Sequence, residues 1–190
     1  MPALYGHTAT LVLPSDLRNH PKLSLFKLPD DKIQRRNFNL IKEKGVYIFG
    51  GKSNDNIINN EVYLVRIGKK PLEIVKLDTN GKPPVPRYFH TANFYEAGNF
   101  LIVYGGRNDN NEDYAFSDIF ILELNKLQWI EVITYSIEKI NVFSRCGHSS
   151  IIFNNKLIVF GGLNSNNYIG SSLFFVDLGK SILSNRYFTR

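Results

Sequence analysis

Three apolar runs each end in a pair of glycines, and their even spacing constrains the fold more than any other feature. They are Gly45-Val-Tyr-Ile-Phe-Gly50-Gly51, Phe100-Leu-Ile-Val-Tyr-Gly105-Gly106 and Lys156-Leu-Ile-Val-Phe-Gly161-Gly162, with the pairs 55 and 56 residues apart. A second apolar run follows each pair: Glu61 to Ile67, Asp118 to Leu124 and Ser172 to Leu178. Before each pair stands a third element, Tyr5-Gly-His-Thr8, Tyr88-Phe-His-Thr91 or Cys146-Gly-His-Ser149. Arg87 and Arg145 precede the last two, and Leu4 holds that place in the first. A fourth run, Leu127 to Ile133, closes a unit, with Leu72 to Leu77 as its weaker counterpart. Three copies of one multi-part pattern mark a repeat architecture.

Each run reads as a strand. The runs are short, rich in Val, Ile, Phe and Tyr, and bounded by Gly, Asn, Asp and Pro clusters that punctuate turns. No long segment shows apolar residues at i, i+3, i+4 and i+7, so long helices are not expected. Four strands in a repeated unit of this length point to propeller blades, an all-β fold. Glycine at a strand end permits positive φ and close backbone approach where blades crowd. The recurring aromatics Tyr63, Phe120 and Phe174 are expected to fill space between blades.

The diglycine after an apolar strand, an aromatic, a tryptophan (Trp129), and Arg-x-Gly-His opening the next unit resemble the kelch repeat. The pattern departs at Leu4, at Phe89 where glycine is usual, and at Ile74 in the tryptophan position. The resemblance implies a kelch-type β-propeller of four-stranded antiparallel blades that binds other proteins. On this reading Gly50, Gly51, Gly105, Gly106, Gly161, Gly162, His7, His90, His148 and Trp129 are structural motif residues. The asparagine-rich style resembles protist members of the family.

The expected organisation is one partial propeller over 1–190. Blade one runs 4–78 with an inserted loop at 14–44, blade two 87–133 and blade three 145–190, whose last strand is weakly marked. The insertion carries eight basic against four acidic residues, most of the chain's net +6. A basic arm of this kind attracts a polyanion such as nucleic acid, or an acidic surface. Its aromatics, Phe26 and Phe38, are too few to support stacking on bases. A solvated surface loop is the plainer reading.

One cysteine excludes an internal disulfide and every Cys-based zinc motif. No apolar stretch approaches the length of a spanning helix, and the N-terminus lacks a signal-peptide pattern. No Asn-x-Ser/Thr acceptor occurs among 21 asparagines. Together these suggest a soluble, cytoplasmic protein.

Candidate chemistry is sparse. Gly45 to Ser53 imitates a phosphate-binding loop, but its spacing is off by one and it leads into another strand rather than a helix. His7, His90 and His148 recur at one repeat position, so successive blades rotate them about the axis rather than converge them on a metal. Cys146 lies two residues before His148, yet no orienting acid accompanies the pair. Kelch-type copper oxidases related to galactose oxidase need ligands beyond the blades. No catalytic residue, cofactor or metal is therefore expected, and an enzyme is not.

The resemblance places binding on one propeller face. In a meander blade, the second-to-third and fourth-to-first connections lie together, here 52–60, 107–117 and 163–171 with 79–87 and 134–145. Kelch proteins hold peptide segments there, often through arginines. Arg87, Arg107 and Arg145 are the first candidates, with Tyr88, Asn108, Asp109, Tyr114 and Asn164 beside them; bracing adjacent blades is the alternative role for Arg87 and Arg145. The functional expectation is a non-enzymatic interaction module with protein partners. The alternative is a regulatory propeller of a larger enzyme, such as a kelch-containing protein phosphatase.

Propellers close with about 4 to 8 blades, so three form an open arc. The arc is expected to expose strand faces near 5–13 and 173–176. That expectation points to part of a larger six- or seven-bladed ring, or to self-association that completes one.

Overall fold

The computed structural model describes residues 3–12, 44–67, 71–110, 114–132 and 144–178. Three antiparallel meander sheets follow one another along the chain. Blade one pairs β2 (Thr8–Val12), β3 (Gly45–Phe49), β5 (Val62–Arg66) and β6 (Glu73–Leu77) in that order. Between β2 and β3 lies the inserted segment, almost all of it outside the described residues, as is the whole reading of a polyanion-binding arm.

Blade two is the meander β7 (Thr91–Tyr95), β8 (Phe100–Tyr104), β9 (Ile119–Glu123) and β10 (Gln128–Val132). Blade three pairs β11 (Ser149–Phe153), β12 (Lys156–Phe160) and β13 (Leu173–Asp177). Its expected fourth strand falls in 181–190, outside the described residues. A 3-10 turn at Glu96–Gly98 links β7 to β8.

Burial explains why the second strand of blade two is apolar throughout. All five residues of β8 are buried, because its even and odd positions face different neighbours. Leu101 and Val103 pack against Tyr47, Phe49, Val62 and Leu64 of blade one. Phe100, Ile102 and Tyr104 pack against Leu157, Val159 and Leu178 of blade three. A strand covered on both faces must be apolar at every position. In β12 only Leu157 and Val159 are buried, while Phe160 is exposed, because one of its faces is open.

The innermost strands follow a different rule. The strand β7 lies beside both β2 and β11. Small polar residues occupy these positions, and their side chains cross-link neighbouring blades. Thr10 donates its hydroxyl to the Ala92 carbonyl at 2.9 Å. Asn93 Nδ2 donates to Ser150 Oγ at 2.6 Å, and that hydroxyl donates to Thr91 Oγ1 at 2.7 Å.

The sequence expects an exposed strand face near 173–176, and the structure narrows it to one side of β13. Leu173 and Phe175 are exposed, but Phe174 and Val176 face inward onto the second apolar cluster. Strand alternation sends neighbouring residues to opposite faces. Phe120 lies in the first cluster and Trp129 packs on Phe49, ring centroids 5.1 Å apart. Tyr63 is buried, and alternation along β5 puts it on the opposite face from Val62 and Leu64, which pack toward blade two.

Candidate functional site

The glycine pairs and the Gly-His elements meet at one end of the blades. Gly51 donates its N–H to the Arg87 carbonyl at 2.8 Å, and Gly106 does the same to Arg145 at 2.8 Å. A Cβ on Gly105, at φ +64, would lie 2.4 Å from the Arg145 carbonyl oxygen, so both conformation and space demand glycine there. His90 Nε2 lies 3.0 Å from Thr8 Oγ1, and His148 Nε2 lies 2.9 Å from Thr91 Oγ1. These rings are buried between blades; burial first, then the neighbouring Arg145, pushes His148 down to about 4. Among the described residues no cluster of His, Cys, Asp and Glu could hold a metal. Cys146 is buried, and burial pushes its thiol up, which disfavours the thiolate.

Beside each Gly-His element, one residue before the histidine motif bridges to the residue after a glycine pair. Leu4–Tyr5 forms β1, paired with β4 (Lys52–Ser53) so that Tyr5 faces Lys52. The matching bridges are Tyr88 with Arg107 and Cys146 with Leu163. Two of the three clasps thus combine an aromatic ring with a cation. Arg107 lies 4.0 Å from the Tyr114 ring centroid and 5.5 Å from that of Tyr88; Lys52 lies 5.6 Å from Tyr88.

Asp109 joins the two clasps. Its carboxylate accepts hydrogen bonds from Lys52 Nζ at 2.7 Å, Tyr88 OH at 2.6 Å and Arg107 Nη2 at 2.7 Å. The bonds from Lys52 and Tyr88 hold Asp109 below the usual carboxylate range. Burial, then the bond to Asp109, raises Tyr88 well above the ordinary phenol range. Two cations around one carboxylate leave the cluster with a net positive charge.

Phe89 completes the cluster in an unfavourable conformation. Its φ is +56, matching +63 and +64 at the equivalent Gly6 and Gly147, and it is 42% exposed. Its N–H donates to the Gly6 carbonyl, and its own carbonyl accepts from Gly147, both at 2.8 Å. The ring lies 4.7 Å from Tyr88 and 6.4 Å from Tyr5. A bulky residue held in the left-handed region is the kind of strain that gathers at binding sites.

The other candidate residues fall elsewhere. Arg87, expected among the partner-facing arginines, is fully buried. It makes paired bonds to Asp118 at 2.6 and 2.7 Å, donates to the Gly105 carbonyl and lies against Phe116. Arg145 is likewise buried, donating to Ser172 Oγ and the Ser144 carbonyl, each at 2.8 Å. Neither guanidinium reaches the surface, which corrects their place in the set. Asn108 is buried and donates to the Pro86 carbonyl, and Asn164 folds its own loop by accepting from the amides of Asn166 and Tyr168. Arg107, Asp109, Tyr88 and Tyr114 converge, and Tyr5, Lys52 and Phe89 join them. Aligning the residue after each glycine pair (Lys52, Arg107, Leu163) is the signal that would have found Lys52.

A family model described as the KLHDC2/KLHL20/DRC7 Kelch-repeats domain matches residues 38–186. The chain belongs to the kelch-repeat family. Its blades are therefore kelch blades, and the all-β sheets are part of a kelch-type β-propeller that the described strands leave unclosed. Among related proteins, host cell factor homolog hcf-1 of Caenorhabditis elegans is 32% identical over 134 residues, covering 64% of this kelch chain and 16% of that protein. N-acetylneuraminate epimerase 2 of Escherichia coli is 28% identical, covering 68% and 36%. The solved structure of YjhT superposes with a TM-score of 0.48 at 24% identity, covering 64% and 32%. The kelch chain thus spans little more than a third, at most, of these proteins' lengths. Kelch repeats are generally interaction modules and typically non-catalytic, although the epimerase carries an enzyme's name. Among the described residues no helix is long and apolar enough to cross a membrane.

Proposed function

We propose that this chain is a non-enzymatic protein-interaction module that holds a segment of a partner protein on the loop face formed around Arg107, Asp109, Tyr88 and Tyr114. The observation that carries this reading is the junction at Asp109, which ties an aromatic–cation clasp of blade one to that of blade two. Arg and Tyr are enriched among the residues that dominate binding energy at protein interfaces: Tyr brings large area with two torsions to freeze, and Arg a planar fork of directed donors. Here the cations are held in place before any partner arrives. Phe89 and Tyr5 add exposed ring surface beside them. The buried Arg87 and Arg145 support the face from beneath, and a cytoplasmic setting belongs to the same proposal.

The test compares proteins captured from the source cell by the wild-type chain and by Arg107→Ala, with thermal unfolding as a control for folding. The reading expects at least one partner whose affinity falls about tenfold, roughly 1.4 kcal/mol, with the melting temperature unchanged. Retention of every partner by both Arg107→Ala and Tyr114→Ala would remove this face from consideration.

A further inference from the structure

The connection from β6 of blade one to β7 of blade two contains Lys82-Pro83-Pro84-Val85-Pro86-Arg87, which holds three of the protein's eight prolines. Each proline fixes its own φ near the polyproline value and holds the residue before it in the extended region. Every residue from Lys82 to Pro86 is constrained in one of these ways. The run is thereby biased to a left-handed polyproline helix, with about three residues per turn.

Exposure follows that period. Lys82 and Val85 are exposed, Pro83 and Pro86 are half-buried, and Pro84 and Arg87 are buried. One edge of the helix therefore sits on the protein while two face outward, with Val85 43% exposed. Main-chain carbonyls fix it in place. That of Pro84 accepts from Asn60 Nδ2 at 2.9 Å, that of Val85 from Arg87 Nε at 3.1 Å and that of Pro86 from Asn108 Nδ2 at 2.7 Å. Asn60 belongs to blade one and Asn108 to blade two, so the strip lies over a joint with both sides in place.

Seating the arginine does not require the prolines. The equivalent connection into blade three ends in Asn141-Val142-Phe143-Ser144-Arg145, with no proline, and Ser144 stands where Pro86 stands. Ser144 and Arg145 are nonetheless buried.

We propose that Lys82 to Pro86 is a docking strip for a proline-reading domain of a partner protein, whose aromatic-lined groove grips the pairs Lys82-Pro83 and Val85-Pro86. A groove reaches two of the three edges of such a helix at once, and the edge it leaves is the one that Pro84 and Arg87 bury. The proline rings and Val85 supply apolar surface, and Lys82 supplies a cation for a groove bordered by carboxylates. Because the helix is held before binding, little ordering opposes the complex. Here the chain is the ligand rather than the reader, so the inference is independent of what the face around Arg107 holds.

Titration of the 190-residue chain with a panel of purified SH3 domains, which read proline-rich segments through such grooves, tests it by calorimetry. At least one domain is expected to bind the wild-type chain. Val85→Asp and Pro83→Ala should each weaken that complex about tenfold with the melting temperature unchanged. Ile130→Asp, at an exposed position on the outer strand of blade two, should bind as wild type does. A panel in which no domain binds at millimolar concentration, or a bound domain indifferent to both Val85→Asp and Pro83→Ala, would overturn the proposal.

Discussion

His148 of blade three lies 2.9 Å from Thr91 of blade two, Nε2 to Oγ1, and this contact couples the seating of one blade on the next to the protonation of a buried ring. Burial and Arg145 lower the native pKa to about 4 from an ordinary 6.5, so the native state holds the neutral form. The unfolded chain therefore binds more protons between those values. Stability is full above pH 6.5 and falls as pH drops toward 4, by about 3 kcal/mol from this residue alone. His90 is lowered for the same reason and adds in the same direction. Urea unfolding across this window should show the loss, and His148→Gln should flatten it; parallel slopes in the two proteins would contradict the assignment.

The glycine pairs give a direct comparison of a closed joint with an open one. Gly161→Ala should cost about 1–2 kcal/mol, the price of a left-handed alanine. Gly105→Ala adds a clash with the Arg145 carbonyl and should cost about 1–3 kcal/mol more. Equal midpoints in denaturant would mean that the blade two–three contact is looser than described.

The buried Arg87 and the partly exposed Arg107 should behave differently. Arg87→Ala leaves Asp118 without its paired partner inside a blade and should destabilise by about 3–5 kcal/mol. Arg107→Ala removes a partly exposed group and should change stability by less than about 1 kcal/mol. Calorimetric unfolding of both variants distinguishes them, and similar losses would place Arg107 among the bracing residues instead.

Much of the architecture was legible because repetition multiplies weak signals. Glycine pairs, apolar runs and Gly-His elements each recur, and their common spacing fixed four-stranded units. The site was legible only in part. Arg87 stands at the motif position where bracing was the alternative to partner contact, and the packing of Asp118 and Phe116 around it decides for the inside. Leu173 to Val176 is apolar throughout, so the sequence does not say which two side chains a neighbour covers. Lys52 was passed over because its partner, Asp109, comes from another blade, 57 residues along the chain. Phe89 stood out as a departure from the motif, but its strain and its exposure emerge only from the backbone.

Phe89→Gly tests whether that strain serves binding. Relief of the left-handed conformation, about 1–2 kcal/mol, should roughly offset the loss of the ring contact with Tyr88. The variant should unfold within about 1 kcal/mol of wild type while losing partner affinity. A loss of stability above about 2 kcal/mol would make Phe89 a packing residue.

The proposed partner lies on the face holding the Asp109 junction. Hydrogen–deuterium exchange of the chain, with and without a captured partner, reads out that contact. Protection is predicted at 52–60, 88–89 and 107–117. Protection confined to the opposite turns at 96–99, 124–127 and 154–155, with the first set unchanged, would contradict it.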